Sequence, residues 1–216
     1  MSNDIFESVS QGIDGAYDEE NRRIQEIADK LRRLCCLYEA ESGNGQTNGS
    51  RLEIEQRITE QFAKSNGMWI PLDSIFDLGV PGPSGNENDT YVADNIIFKV
   101  NNLFNTGSIF GLLSKILLHN KIFPNTAYKL YGFTGYDGRS VMPVLQQNRV
   151  SNAQPATQVM IDTYMSALGF SKLNSEGKYS NGQYVVWDIV PRNVLTDHDG
   201  DMYVVDAEIT FKEVTQ

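Results

Sequence analysis

Apolar residues in the first third of the chain recur at three- and four-residue steps. Ile24, Ile27, Ala28, Leu31, Leu34, Cys35 and Tyr38 form one stripe, with Arg22, Arg23, Glu26, Lys30 and Arg33 largely between them, so the spacing predicts an amphipathic helix over residues 18–40. Residues 42–50, SGNGQTNGS, read as a flexible linker. A second helix is expected over 51–64, presenting Leu52, Ile58 and Phe62 and stopping near Asn66-Gly67. From Trp69 the texture changes, and Gly, Asn and Pro punctuate short β-rich runs at 75–80, 90–93 and 96–100. A strongly apolar helical stretch at 108–118 ends near Pro124. Strands are expected next at 128–133 and 140–145, split by a turn at Tyr136-Asp137-Gly138. A helix at 156–168 stops at Gly169, and strands at 183–187, 194–195 and 202–205 close the pattern, the last two around an Asp-Gly turn. Five strands interrupted by one helix, then a helix, then short hairpin strands make an α+β pattern without internal repeat.

Composition narrows the classes. At 216 residues and 40% hydrophobic, the chain can fill one ordinary domain with an appendage, or two small ones. Its 18 basic against 28 acidic side chains, net −10, argue against a partner that is nucleic acid. No apolar run reaches the roughly 18 residues of a membrane span, and the opening MSNDIFESVSQGIDG does not read as a secretory signal. The two cysteines, Cys35 and Cys36, are adjacent and poorly placed to bridge each other, so a reduced, cytoplasmic setting is expected. Residues 1–64 carry 8 basic and 13 acidic side chains against 10 and 15 in the remainder, which makes them about twice as dense in charge. They read as a helical cap on the remainder of the chain, or as an element for dimerisation or partner docking, because an apolar stripe needs cover.

The segment WDIVPRNVLTDHDGDMYVVDAE places Asp188, Asn193 and Asp206 at offsets of 5 and 18, with apolar strands leading in and out. One carboxylate can orient a hydroxyl nucleophile, while an amide and a second carboxylate can hold Mg²⁺ on the phosphates of a nucleotide. Magnesium keeps several waters, so two side chains suffice. The alternative is ordinary turn chemistry, since Asp, Asn and Pro populate turns for backbone reasons. Within the same segment, Asp197, Asp199 and Asp201 have calcium-loop spacing. The sixth place is Met202 rather than glycine, and an Asp-Gly hairpin explains the run better. His119 and His198 are too separated for zinc.

Asp188-Ile-Val-Pro-Arg-Asn193 resembles the D-x-x-x-x-N catalytic loop of protein kinases, and Val205-Asp206-Ala-Glu resembles their D-F-G segment. Upstream, Ile96-Ile-Phe-Lys99-Val is similar to the strand that carries the phosphate-binding lysine. Pro83-Ser-Gly85-Asn-Glu87 would stand in for the glycine-rich loop, and Val141-Met-Pro-Val144-Leu145-Gln-Gln147 for the strand leading to the adenine hinge. Leu-Leu-His-Asn120, Tyr131-Gly-Phe133 and Leu168-Gly-Phe170 resemble, more narrowly, the compact serine/threonine/tyrosine kinase-like domain of bacterial polyvalent proteins of phages and conjugative elements.

The resemblance covers roughly residues 69–216 and implies a two-lobed fold with a reduced second lobe. Residues 1–68 would be the helical extension, 69–147 the sheet lobe and 148–216 the second lobe, with the nucleotide between the lobes. It implies ATP and Mg²⁺ as cofactors and an unknown protein or small-molecule phosphoacceptor. Asp188 would orient the acceptor hydroxyl, Asn193 and Asp206 would hold the metal, and Lys99 would contact the α- and β-phosphates. Gly85, Glu87, Val144, Leu145 and Gln147 would line the nucleotide. A surface lysine is the alternative for Lys99, and a plain hairpin that for Gly85.

Several departures stand beside the matches. Val186 and Trp187 replace the usual His-Arg before the catalytic aspartate, and Asp206-Ala207-Glu208 replaces D-F-G. Residues 101–136 contain no Asp or Glu, so the helix at 108–118 cannot supply the glutamate that normally pairs the lysine; Asp206, Glu87 or bound phosphate is expected in its place. The ten residues after Asp206 hold no activation segment and no A-P-E motif. A nucleotide-binding or protein-interaction module without turnover is therefore the competing expectation.

Overall fold

The apolar stripe of the first helix meets its cover inside this chain. A computed structural model describes residues 15–41, 49–136 and 140–212; most of the expected linker (42–48) and the turn residues Asp137 and Gly138 lie outside the described residues. Helix α1 spans Gly15–Glu41 and helix α2 Arg51–Ser65. Ser50 starts α2 with a capping box, its Oγ accepting from the Glu53 amide while the Glu53 carboxylate accepts from the Ser50 amide at 2.6 Å. The chain divides into two compact units, Met1–Leu117 with Tyr128–Arg149, and Leu118–Ala127 with Val150–Gln216.

In the first unit, strands β1 (Val80–Pro81), β2 (Asn88–Ala93), β3 (Ile96–Asn101), β4 (Tyr128–Tyr136) and β5 (Ser140–Asn148) form an antiparallel sheet in the order β1-β2-β3-β5-β4. Helix α3 (Ile109–Ile122) joins β3 to β4. Period-two alternation splits the sheet residues between two cores. Tyr128, Leu130, Phe133, Val141 and Leu145 share one with Ile24, Ala28 and Leu31 of α1, Ile54, Ile58 and Phe62 of α2, and Leu112, Leu113 and Ile116 of α3. Phe98, Val100 and Val144 share the other with Ile75 and Tyr91.

The outer edge of β4 is covered rather than bare. β4 carries an irregularity between Leu130 and Gly132, and the Leu130 amide donates to Glu20 Oε1 at 3.1 Å while its carbonyl accepts from the Arg23 guanidinium. Further along, Phe133 exchanges backbone hydrogen bonds with Met68 and Ile70, both 2.8 Å. A Cβ on Gly132 would stand 2.6 Å from the Met68 carbonyl oxygen, so this close approach requires glycine.

The strand expected at 75–80 is instead a 3₁₀ segment, Leu72–Leu78, with only Val80–Pro81 pairing in the sheet. Pro71 fixes the entry, the Ser74 amide closes a turn on the Pro71 carbonyl at 2.9 Å, and Ile75 is buried while Phe76 faces solvent.

The second unit holds helix α4 (Gln158–Ala167), shorter than the expected 156–168 because Thr157 is its N-cap. Gly169 ends it with φ +81°. Strands β6 (Gln154–Pro155), β10 (Val194–Thr196) and β11 (Met202–Val204) form one sheet; β7 (Ser171–Lys172), β8 (Tyr179–Ser180), β9 (Tyr184–Trp187) and β12 (Glu208–Phe211) form another. β10 and β11 meet in the expected hairpin. Asp197 Oδ1 accepts from the amides of Asp199 and Asp201, and Oδ2 from the Tyr203 hydroxyl, so this carboxylate holds its own turn. Among the described residues no helix is long and apolar enough to cross a membrane. Both cysteines are free thiols, and burial pushes that of Cys35 up to about 11.

Two carboxylates yield testable behaviour. Glu55 of α2 is buried and accepts from the Ile109 amide at the start of α3, and burial raises its pKa above the ordinary carboxylate value. Glu55→Ala should cost about 1–3 kcal/mol in urea unfolding, because a buried helix-start donor is orphaned. A raised acid binds its proton more readily when folded. The stability of the wild type relative to Glu55→Gln should therefore fall as pH rises through the carboxylate range. Asp162 of α4 behaves oppositely. Hydrogen bonds from Lys172, Tyr179 and Gln158 hold its pKa down to about 2. Its contribution is present above the usual carboxylate range and lost as pH falls toward 2, a loss that Asp162→Asn should remove from acid-denaturation curves.

Candidate functional site

Strand β9 ends at Trp187, and the next residue, Asp188, takes φ +61°. Aspartate is among the few side chains that occupy this left-handed region at small cost. The loop is pinned on both sides of that kink. Ile189 is fully buried and its amide donates to the Gly177 carbonyl at 3.1 Å, and the Asn193 amide closes a turn on the Val190 carbonyl at 2.9 Å.

The Asn193 side chain then ties the loop to Asp188. Its Nδ2 donates to Asp188 Oδ2 at 2.7 Å and to the Asp188 carbonyl at 2.9 Å. The Arg192 guanidinium donates to Asp188 Oδ1. Each carboxylate oxygen thus accepts one hydrogen bond and keeps capacity for another, so an acceptor hydroxyl could still be met here. With Nδ2 committed to Asp188, Oδ1 is the amide atom of Asn193 able to ligate a cation.

Asp206 reaches the same neighbourhood through the backbone. The Val205 amide donates to the Asn193 carbonyl at 2.9 Å, and two residues past Asp206 the ladder of β12 pairs Glu208 with Trp187. Ala207 is buried and anchors the segment. The residue before Asp206 is therefore bonded to Asn193, and the strand that follows it is paired with the residue before Asp188. A carboxylate and an amide oxygen are hard donors of the kind Mg²⁺ takes, and phosphate oxygens and water would have to supply the remaining ligands. Among the described residues no group of three or more His, Cys, Asp or Glu could hold a metal, so a cation here would depend on such added oxygens.

The other sequence-derived candidates lie in the first unit. Lys99 is 8% exposed, which excludes the surface-lysine alternative, and its Nζ donates to the Tyr128 hydroxyl at 3.0 Å while standing 4.9 Å above that ring. Leu145 faces it across the β3–β5 ladder. Val144 and Leu145 pack into opposite cores, so at most one of these two side chains can face a given ligand. Gln147 is buried at the end of the same strand. Gly85 has ordinary φ, and a Cβ there would meet nothing within 4 Å. Neither backbone strain nor close packing demands glycine at that position.

Glu87 is buried, and its carboxylate accepts from Lys115 Nζ at 3.1 and 3.3 Å and from Asn105 Nδ2 at 3.0 Å.

Three residues make contacts that the motifs did not indicate. Arg192 lay inside the D-x-x-x-x-N loop without a function, and Tyr128 carried no local signal because its partner is 29 residues away. Lys115 was detectable as a lone cation in the middle of an apolar helix, a position charged groups occupy only when paired. A family model described as a serine/threonine/tyrosine kinase found in polyvalent proteins matches residues 53–213. No curated protein and no solved structure matches the chain.

The wiring of the loop predicts its mutational response. Asn193→Ala should cost about 1–2 kcal/mol in urea unfolding through loss of the two bonds to Asp188. Asn193→Asp should cost more, since it sets a second carboxylate against Asp188, and the excess should shrink as pH falls through the carboxylate range.

Proposed function

Because the chain belongs to the family of serine/threonine/tyrosine kinases found in polyvalent proteins, we propose that it is an ATP- and Mg²⁺-dependent phosphotransferase acting on a hydroxyl acceptor. The supporting observation is the hydrogen-bonded cluster in which Asn193 bonds Asp188 directly and its carbonyl accepts from Val205, next to Asp206. Bound Mg²⁺·ATP supplies an electrophilic γ-phosphoryl group with ADP as leaving group.

The chain's own residues do the positioning. Asp188 orients the acceptor hydroxyl and takes its proton as the new oxygen–phosphorus bond forms. Arg192 and Asn193 hold the Asp188 carboxylate in one rotamer. Asn193 Oδ1 and the Asp206 carboxylate would hold the cation, and Lys99, whose Nζ donates to the Tyr128 hydroxyl, would contact the α- and β-phosphates. Gly85, Val144, Leu145 and Gln147 are assigned to the nucleotide by the family likeness, within the limit that strand alternation sets on Val144 and Leu145. The two-lobed kinase architecture belongs to the same proposal. Catalysis of this kind is mostly alignment and charge neutralisation, so loss of one ligand should be severe.

A second reading, nucleotide binding without turnover, is favoured by one observation. Helix α3 carries no carboxylate, and its buried charge is Lys115. One experiment separates the two readings. Millimolar Mg²⁺·ATP should raise the melting temperature of the wild type, ATP with EDTA should not, and Asp206→Ala should lose the metal-dependent shift. Asp188→Asn keeps an acceptor for Asn193, so it should retain the shift while ADP release falls about 10²- to 10⁴-fold. A shift without ADP release in the wild type selects the binding module, and no metal-dependent shift at all overturns both readings.

A further inference from the structure

The Lys115–Glu87 pair lies deep in the first unit, with each side chain 8% exposed. Placing two charges there sacrifices their hydration, and apolar replacements of buried pairs are often no less stable. What a two-pronged ion pair provides is a fixed position. Glu87 is the last residue before β2, at the end of the loop that the kinase resemblance assigns to the glycine-rich loop.

That loop is secured at neighbouring points as well. The Asn102 amide donates to the Glu87 carbonyl at 2.9 Å, Asn102 Nδ2 to the Asn86 carbonyl at 2.7 Å, and Asn101 Nδ2 to Asn88 Oδ1 at 2.9 Å. The Gly85 amide closes the turn on the Asn88 carbonyl at 3.0 Å. Among these contacts, the ion pair with Lys115 is the one that connects the loop to helix α3.

We infer that Lys115 and Glu87 form the brace that sets the loop at residues 82–88 for the nucleotide phosphates, with the charge order reversed relative to the strand-lysine and helix-glutamate pair of protein kinases. Glu87 is then a positioning residue, and the lysine that braces is on the helix. The inference rests on the phosphotransferase reading.

The test uses the full chain and the variants Glu87→Lys, Lys115→Glu, Lys115→Met and the swapped double Glu87→Lys/Lys115→Glu. Calorimetric titration with Mg²⁺·ATP is run alongside hydrogen exchange at residues 82–90. Each single variant should bind at least fivefold more weakly and exchange faster over the loop. The swapped double should return to within threefold of wild-type affinity and recover slow exchange. A direct nucleotide-binding role for Glu87 predicts no such rescue. Single variants that bind like wild type, or a cooperatively melting double that binds no better than the singles, overturn the brace and leave the phosphotransferase reading standing. Should a single variant fail to fold, the comparison of the double with wild type decides alone. A wild type that does not bind Mg²⁺·ATP overturns the brace and that reading together.

Discussion

The first unit depends on covering helix α3. Its sequence, IFGLLSKILLHNKI, is apolar on nearly every side, and a helix of that kind must be enclosed. Ile109, Leu112, Leu113, Ile116 and Leu117 are buried in one core with α1, α2 and a face of the sheet. The stripe of α1 contributes to this task, with Ile24, Ala28 and Leu31 fully buried. Glu55 of α2 completes the enclosure by accepting from an amide at the helix start, so even the polar end of α3 is met from within the unit.

An apolar helix offers few places for charge, and this shapes the chemistry. Lys115 is tolerated because Glu87 reaches it, and Lys99 on β3 is steadied by the hydroxyl and ring of Tyr128. Both lysines are buried. A protein kinase usually steadies the strand lysine with a helix carboxylate. Here the helix carries the cation, and a phenol stands beside the strand lysine.

In the second unit Asp188, Asn193 and the segment around Asp206 are fixed by hydrogen bonding more than by packing. The left-handed turn at Asp188 lets Asn193 fold back on it, and the Val205 amide carries the following segment to the Asn193 carbonyl. Two short ladders, β10–β11 and β9–β12, hold the ends of this arrangement. The cluster is therefore tied together by hydrogen bonds although it is built almost entirely from loops.

The sequence by itself determined the elements whose side chains repeat with a period. Helices α1, α2 and α3, strands β2 to β5 and the Asp-Gly hairpin follow from three-, four- or two-residue spacing and turn residues, and the order of Lys99, Asp188, Asn193 and Asp206 is legible because their offsets lie along the chain. Strands of two residues, β6, β7 and β8, are too short to show a period, and the segment at 72–78 folded against its apolar composition because Pro71 and the Ser74 turn act locally. Tertiary structure alone decided which partners the buried charges meet. Lys115 found Glu87 across 28 residues, Lys99 found Tyr128 across 29, and Glu55 found Ile109 across 54. Such pairings are set by which faces the core brings together, and no local spacing encodes them.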